Sequence, residues 1–320
     1  MTVKNKMIHQ LTVPTPFPVG DVHLYLLEGD MLTIVDAGVK TKEAWEALLV
    51  QLKEIGYTPA DVEQVILTHH HPDHIGLVDQ FPKVKGIYGH TNNDYWLTRD
   101  EAFFQRYQTF FEELYERSGV PDSYKKFLQT LRAPLKFAGE GKLSGCLVEG
   151  DFLPGHADWS VIETPGHAQS HLSFFRESDG VLLAGDHLLH HISSNPLLEP
   201  PIDPSNERPK PLLQYRDAMK KCLQYDITTV YPGHGPYFSD VRNLIDIRLE
   251  KQEQRAGKVL SFLKEGGLTA FQVCALLFQK QMDKEFGLTM SETIGQLDYL
   301  EDQQKIRKEI EYGVWKYYSM

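Results

Sequence analysis

The segment His69-His70-His71-Pro72-Asp73-His74 crowds imidazole and carboxylate groups into six residues. Those are the usual donors to zinc and its neighbours, so nitrogen and oxygen ligation of a metal is the chemistry it offers. On a loop after a strand, His69 and His71 can face one way while Asp73 and His74 face another, supplying halves of two adjacent sites. Two more segments share one design, Thr164-Pro165-Gly166-His167 and Tyr231-Pro232-Gly233-His234. In each, Pro-Gly makes a sharp turn and the glycine lets the next imidazole come close to a metal. Between them, Ala184-Gly185-Asp186 puts a carboxylate straight after a strand, well placed to bridge two cations.

Positioning these groups requires strands that end together. Val62 to Leu67 reads as a buried strand running directly into the histidine segment, and functional loops commonly sit at such carboxyl ends. Val22–Glu28 and Met31–Val35 read as a hairpin about Gly29-Asp30, closed by Asp36-Ala37-Gly38. A helix is expected from Thr41, its N-cap, to Ile55, with Ala44, Leu48 and Leu52 on one face. Further strands are expected at Lys83–Gly89, Trp159–Glu163, Leu172–Phe175, Val181–Ala184 and Thr228–Tyr231, and a helix at Leu212–Leu223. Asn195–Pro211 holds six prolines and is too long for a simple connector. From Asn92 to Arg132, Phe103, Tyr107, Phe110, Phe111, Leu114 and Tyr115 form a helical stripe, which suits either a self-packed helix pair or a lid lining a substrate pocket. After Ser239 the pattern is helical: Arg242–Leu263, then helices capped by Thr269 and Ser291, then a strand-like tail at Tyr312–Tyr318.

Taken in order, HxHxDH at 69–74, TPGH ending at His167, GD ending at Asp186 and PGHG beginning at Pro232 resemble the metallo-β-lactamase superfamily over about Val22 to Pro236. The resemblance implies an α/β fold, an αβ/βα four-layer sandwich. We expect it to fill residues 1–240, with a helical insertion at 92–132 and a small, mostly helical or winged-helix-like domain at 241–320. It implies two divalent metal ions, zinc first and manganese or iron as alternatives. His69, His71 and His167 would hold one, Asp73, His74 and His234 the other, and Asp186 would bridge. Asp73 and Asp186 are then the catalytic carboxylates, and the implied reaction is hydrolysis by a hydroxide held between the ions. Asp73 could serve as a base if one site alone were filled. Class B β-lactamases commonly carry cysteine where this chain has Asp186, so β-lactam cleavage is not expected. Flavin-coupled di-iron relatives place glutamate where His71 stands and add a flavodoxin domain, and nuclease branches add a further domain or a basic exosite. The small-molecule branch is left: an ester or thioester hydrolase, glyoxalase II-like or lactonase-like. An RNA-directed phosphodiesterase of the winged-helix branch and a mononuclear iron persulfide oxygenase are the alternatives.

The remaining histidines divide. His70 should point away from its neighbours by alternation, and His171 should support the site or the fold. His187, His190 and His191 cluster after Asp186 and suit either a pocket or a solvated loop. Tyr88, His90 and Tyr231 read as packing residues. With 33 basic against 44 acidic residues, the formal charge of −11 repels polyanions, so nucleic acid and anionic membranes are not expected partners. Residues 241–320 carry twelve basic and twelve acidic side chains, and Ser291–Leu300 has acidic residues but no Lys or Arg, against a DNA-reading helix. Trp315, Tyr317 and Tyr318 suit packing on the core or self-association into a homo-oligomer. Cys146, Cys222 and Cys274 form no CxxC pair and read as apolar fillers in a reducing compartment. Without a signal-like stretch at the start or an apolar run of membrane-spanning length, the expected setting is cytoplasmic and the expected partner a small-molecule substrate.

Overall fold

The computed structural model describes residues 7–320 and resolves them into two compact units interleaved in sequence. The first comprises residues up to Asp100, Pro134–Ser194 and Lys221–Val241; the second comprises Glu101–Ala133, Asn195–Lys220 and Arg242–Met320. From Glu101 onward the expected insertion falls in one unit with the Pro-rich loop and the C-terminal region from Arg242, while residues 92–100 belong to the other.

The first unit is built on two sheets. One has six strands in the order β1 (Ile8–Val13), β2 (Val22–Leu27), β3 (Thr33–Val35), β4 (Gln64–Ile66), β5 (Gly86–Gly89) and β6 (Gly145–Cys146). β1, β2 and β3 pair antiparallel; from β3 onward the pairing is parallel. The other comprises β7 (Phe152–Leu153), β8 (His156–Glu163), β9 (Leu172–Arg176), β10 (Val181–Gly185) and β11 (Thr229–Pro232), arranged β11-β10-β9-β8-β7. Only its β10–β11 pair is parallel. Strand side chains alternate faces, so Tyr25 and Leu27, Trp159 and Val161, Leu172 and Phe174, and Val181 and Leu183 all enter one core with Val35 and Ile66. That shared layer is the face-to-face packing of the sandwich.

The helix α1 (Lys42–Glu54) buries Ala44, Leu48 and Leu52, and the Thr41 hydroxyl accepts from the Ala44 amide at 3.1 Å, capping it as expected. The Gln51 side chain accepts from Thr12 N at 2.8 Å and donates to Thr12 O at 2.7 Å, which satisfies backbone groups on the edge strand β1. The unit also holds two short helices, α2 (Pro72–Ile75) and α3 (Asn93–Leu97).

The second unit contains α4 (Glu101–Arg117), most of α5 (Pro211–Cys222), α6 (from Arg242 of Val241–Phe262), α7 (Ala270–Leu277), α8 (Phe286–Asp302) and a hairpin of β12 (Ile306–Glu311) and β13 (Val314–Ser319). Part of the aromatic stripe of α4 packs inside the unit: Phe111, Leu114 and Tyr115 share a core with Val259, Val273, Phe286, Met290 and Leu297, and Tyr107 and Phe110 lie against it. Thr269 and Gln272 form a full capping box at the start of α7. Ser291, expected to open a helix, instead lies inside α8, where its hydroxyl accepts the Leu198 amide at 3.2 Å. The expected terminal strand is β13; its partner β12 was not anticipated, since of its six residues only Ile306 is buried.

α8 is buried on every side from Thr289 to Leu300. Its acidic residues are therefore paired inside: Asp298 accepts two bonds from Arg208 Nη2, at 2.6 and 2.8 Å, and Glu292 accepts from Arg255 at 2.6 Å. Burial raises the Asp298 carboxyl above its ordinary value even with Arg208 beside it. Among the described residues no helix is long and apolar enough to cross a membrane.

Arg208→Ala leaves Asp298 buried without its cation and should destabilise the chain by about 3 kcal/mol. Arg255 is more exposed, and Arg255→Ala should stay within about 1 kcal/mol. Urea unfolding of the two variants checks this; equal losses would show that Asp298 does not depend on Arg208.

Candidate metal centre

Four strands deliver the polar groups from their carboxyl ends. β4 leads through Leu67-Thr68 into the histidine segment and α2, β8 into His167, β10 into Asp186 and β11 into His234. His71 Nδ1 lies 2.9 Å from both His69 Nε2 and His167 Nε2. Nearby, His234 Nε2 stands 3.4 Å from Asp73 Oδ2. The Asp186 carboxylate sits between these groups, Oδ1 at 3.4 Å from His74 Nε2, and Oδ2 at 3.5 Å from His167 Nε2 and at 3.5 Å from His234 Nε2. Ligand atoms of His69, His71 and His167 lie within 4.8 Å of one another, as do those of His69, His74 and Asp186, and of Asp73, His74 and His234. Each trio could hold a metal ion, and all seven residues marked in the sequence meet here. The close approach needs glycine: a β-carbon on residue 233 would stand 2.2 Å from Asp186 Oδ1.

The hydrogen bonds on the far side of each ring set which nitrogen keeps a lone pair. His74 Nδ1 donates to Asp36 Oδ2 at 2.7 Å, and His234 Nδ1 donates to the Asp21 carbonyl at 2.7 Å. The Thr68 hydroxyl gives its proton to Asp36 Oδ2 at 2.8 Å, so at His69 Nδ1, 3.0 Å away, it accepts. His69 Nε2, His74 Nε2 and His234 Nε2 are thereby turned toward the centre. His74 Nε2, His234 Nε2 and Asp186 Oδ1 are buried and have no hydrogen-bond partner among the described residues. Such atoms are costly unless a proton or a cation joins them beside the Asp186 carboxylate. A nitrogen and carboxylate set of this kind fits divalent cations.

Burial, reinforced by neighbouring imidazoles, holds His69 and His71 well below the ordinary histidine value, so both are neutral donors. At His74 burial also acts downward, but Asp186 and Asp36 outweigh it and raise the ring well above that value. His234 is pushed up to about 10 in the same way, by Asp186 and Asp73 against burial. Burial would raise Asp186, yet His234 and His74 keep it well below the carboxylate range. A cation binding here therefore displaces protons from His74 and His234.

Around the centre, His70 turns away as expected: it stacks on Trp96 at 4.2 Å, and its Nδ1 lies 2.8 Å from Ser170 Oγ. His171 supports the fold, with Nε2 accepting the Asp186 amide at 3.0 Å and Nδ1 2.8 Å from Thr164 Oγ1. Of the cluster after Asp186, His187 is buried, His190 packs on Phe238 at 5.4 Å, and His191 lies against Gly235. Tyr231 packs edge-on against Tyr25, whose hydroxyl donates to Pro232 O at 2.6 Å, and Tyr231 and Tyr88 both line the core.

Sequence reasoning missed Asp36. It is 2% exposed and accepts from Thr68 N at 2.8 Å, from the Thr68 hydroxyl and from His74. It holds φ +63, a conformation disfavoured for a side chain with a β-carbon. The available signal was the one that marked Asp186, a carboxylate immediately after a buried strand. Ser194, whose Oγ lies 2.9 Å from His167 Nδ1, carried no such signal.

A family model described as the metallo-beta-lactamase superfamily matches residues 18–234. A probable metallo-hydrolase of Bacillus subtilis (strain 168), YqjP, is 44% identical over 296 residues, 92% of each chain. Among solved structures, a metallo-beta-lactamase family protein of Thermus thermophilus aligns with a TM-score of 0.80 at 28% identity, covering 98% of both chains. A beta-lactamase domain protein of Burkholderia ambifaria, at 23% identity, shares the fold with a TM-score of 0.77 over 100% of this chain and 94% of its own.

Two outcomes follow from the geometry. Asp36→Ala should weaken metal affinity about 10- to 100-fold, since a ligand's outer partner orients it; competition with a chromophoric chelator measures this, and wild-type affinity would show that Asp36 does not orient His74. Metal uptake should release protons and strengthen with pH between 6 and 8, because His74 and His234 start protonated. Calorimetry in two buffers of different ionisation enthalpy reads the release directly; identical heats would contradict it.

Proposed function

Because the chain belongs to the metallo-β-lactamase superfamily, we propose that it is a metal-dependent hydrolase acting on a small ester or thioester. His69, His71 and His167 would hold one divalent ion, Asp73, His74 and His234 a second, and Asp186 would join them. The observation that carries this reading is the Asp186 carboxylate standing within 3.5 Å of His167, His74 and His234 at once. Bound there, divalent cations would supply a water of pKa lowered to about 7 and a Lewis acid for the acyl oxygen.

The chain's own residues do the rest. Asp36, Thr68 and the Asp21 carbonyl keep three imidazoles in the ligating orientation. His71 is part-exposed, and Asp73, His167 and Asp186 retain 6 to 8% exposure, while His69, His74 and His234 are fully enclosed. A substrate would therefore approach from the side of His71, Asp73, His167 and Asp186. The two carboxylates of the ligand set, Asp73 and Asp186, would leave a centre loaded with two divalent ions net positive, suited to the negative charge that develops on an attacked acyl oxygen, while the chain's formal charge of −11 disfavours a polyanionic backbone. The buried α8 and its internally paired Asp298 and Glu292 weigh further against the RNA-directed alternative.

The test is a panel of thioesters, lactones, phosphodiesters and RNA on enzyme of measured metal content. Ester or thioester turnover with about two ions per chain is expected. Turnover confined to phosphodiesters would overturn the substrate class, and one iron per chain with oxygen uptake would favour the persulfide oxygenase. Asp186→Ala should lose metal and activity together, because it removes a shared ligand; elemental analysis showing full metal in this variant would exclude a bridging role.

A further inference from the structure

Behind Asp186 runs a chain of hydrogen bonds whose direction is fixed at both ends. The Asp186 amide can only donate, and it donates to His171 Nε2 at 3.0 Å. The Ala184 carbonyl can only accept, and it accepts from the Ser173 hydroxyl at 3.3 Å. Between these ends, His171 Nδ1 lies 2.8 Å from Thr164 Oγ1, which lies 2.9 Å from Ser173 Oγ. An imidazole that accepts at Nε2 carries its hydrogen on Nδ1, so His171 donates to Thr164. Ser173 spends its own hydrogen on Ala184, so the Thr164 hydroxyl donates to Ser173. Every group is used in one sense, and the chain closes on the segment 184–186 from which it started.

Thr164 follows β8, His171 precedes β9, Ser173 lies in β9 and Asp186 follows β10, so three neighbouring strands build the chain. Thr164 and Ser173 are 0% and His171 is 1% exposed, which leaves no bulk water to replace a lost partner. The His171 ring also stacks on His69, with centroids 4.9 Å apart and planes inclined by 30°. His69, His74 and Asp186 form one of the ligand trios. One imidazole thus rests on two of its three members, on His69 through its face and on Asp186 through a ring nitrogen.

We propose that His171 is a positioning residue for the metal centre: held in one tautomer by Thr164 and Ser173, it anchors the backbone of Asp186 and so keeps that carboxylate between the two sets of imidazoles. The part given to Asp186 as a shared ligand rests on the two-ion hydrolase reading; the tautomer and the chain stand on the distances alone. A ring that merely filled space beside His69 would need its face and not its nitrogens. A positioning ring needs an acceptor toward Asp186 and a donor toward Thr164. Substitution separates the two.

His171→Phe keeps a ring against His69 and removes both nitrogens, whereas His171→Gln keeps one acceptor and one donor and removes the ring. Zinc affinity is measured by competition with a chromophoric chelator. It should fall about 10- to 100-fold in His171→Phe, the range for loss of a ligand's outer partner, and by less in His171→Gln. Wild-type affinity in His171→Phe, or a loss in His171→Gln as large as in His171→Phe, overturns the proposal. The tautomer is read independently, from the ring nitrogen shifts of isotope-labelled wild-type protein by NMR. Hydrogen on Nδ1 and a bare Nε2 are expected at His171; hydrogen on Nε2 overturns the proposal. Should the variants at position 171 fail to fold, Thr164→Val and Thr164→Ser replace them. The first removes the hydroxyl and should lose zinc affinity, the second keeps it and should not; equal affinities overturn the proposal. Ester and thioester turnover is followed on the same wild-type samples. No turnover, with tautomer and affinities as expected, removes the hydrolase reading and spares the positioning role. Turnover by a protein whose His171 carries its hydrogen on Nε2 does the reverse.

Discussion

A carboxylate at 2% exposure must find donors on every side, and the donors that surround Asp36 all come from the segment that carries four of the candidate ligands. One side chain therefore does three things. It anchors the backbone of Thr68, orients the Thr68 hydroxyl toward His69, and fixes His74 as a ring with its Nε2 facing inward. The left-handed backbone of Asp36 is held by those bonds together with its own amide, which donates to Ile66 O at 2.8 Å. Strain at one position is exchanged for order at several. The two-sheet scaffold supplies the rest, because parallel pairing of β3 with β4 brings the end of one strand beside the start of the histidine segment.

The second unit solves a different problem. α8 carries Thr289, Ser291, Glu292, Thr293, Gln296 and Asp298, all buried, along a helix that would be surface-like by composition. Each threonine returns a bond to a carbonyl up to four residues back, and the acidic pair is met by arginines. Gly295 allows the crowding, since a β-carbon there would come within 2.9 Å of Leu212 Cβ. A helix of this kind is specified by the satisfaction of its polar groups as much as by apolar contact.

Much of the fold could be read in advance where a local rule spoke clearly. The Thr41 cap and the apolar spacing of α1, the alternating strands of the sandwich and the capping box at Thr269 all follow from short-range chemistry. The seven polar residues that meet at the centre were legible because each follows a strand or a Pro-Gly turn. What escaped was decided at long range. Ser291 looks like a cap, yet it lies inside α8, where its hydroxyl accepts the Leu198 amide. β12 looks like a charged loop until β13 pairs with it. Asp36 and Ser194 acquire their roles only when strands distant in sequence end side by side, and the interleaving of the two units is a matter of contact between segments that no local pattern marks.

That interleaving has a consequence for how the protein is made. Chains emerge from the ribosome in order, at roughly 5–20 residues per second, and domains fold as units once complete. The first unit is not complete until β11 and residues through Val241 have been synthesised, and His234 lies almost at that limit. By then Glu101–Ala133 and Asn195–Lys220 have already emerged, while Arg242–Met320, the largest segment of their unit, has not. A nascent chain must therefore carry the early histidines, without their last partner, through most of its synthesis. Once His234 has emerged, the full set of seven is present while residues 242–320 are still being added, so the first unit can assemble its centre before the second unit has its last segment.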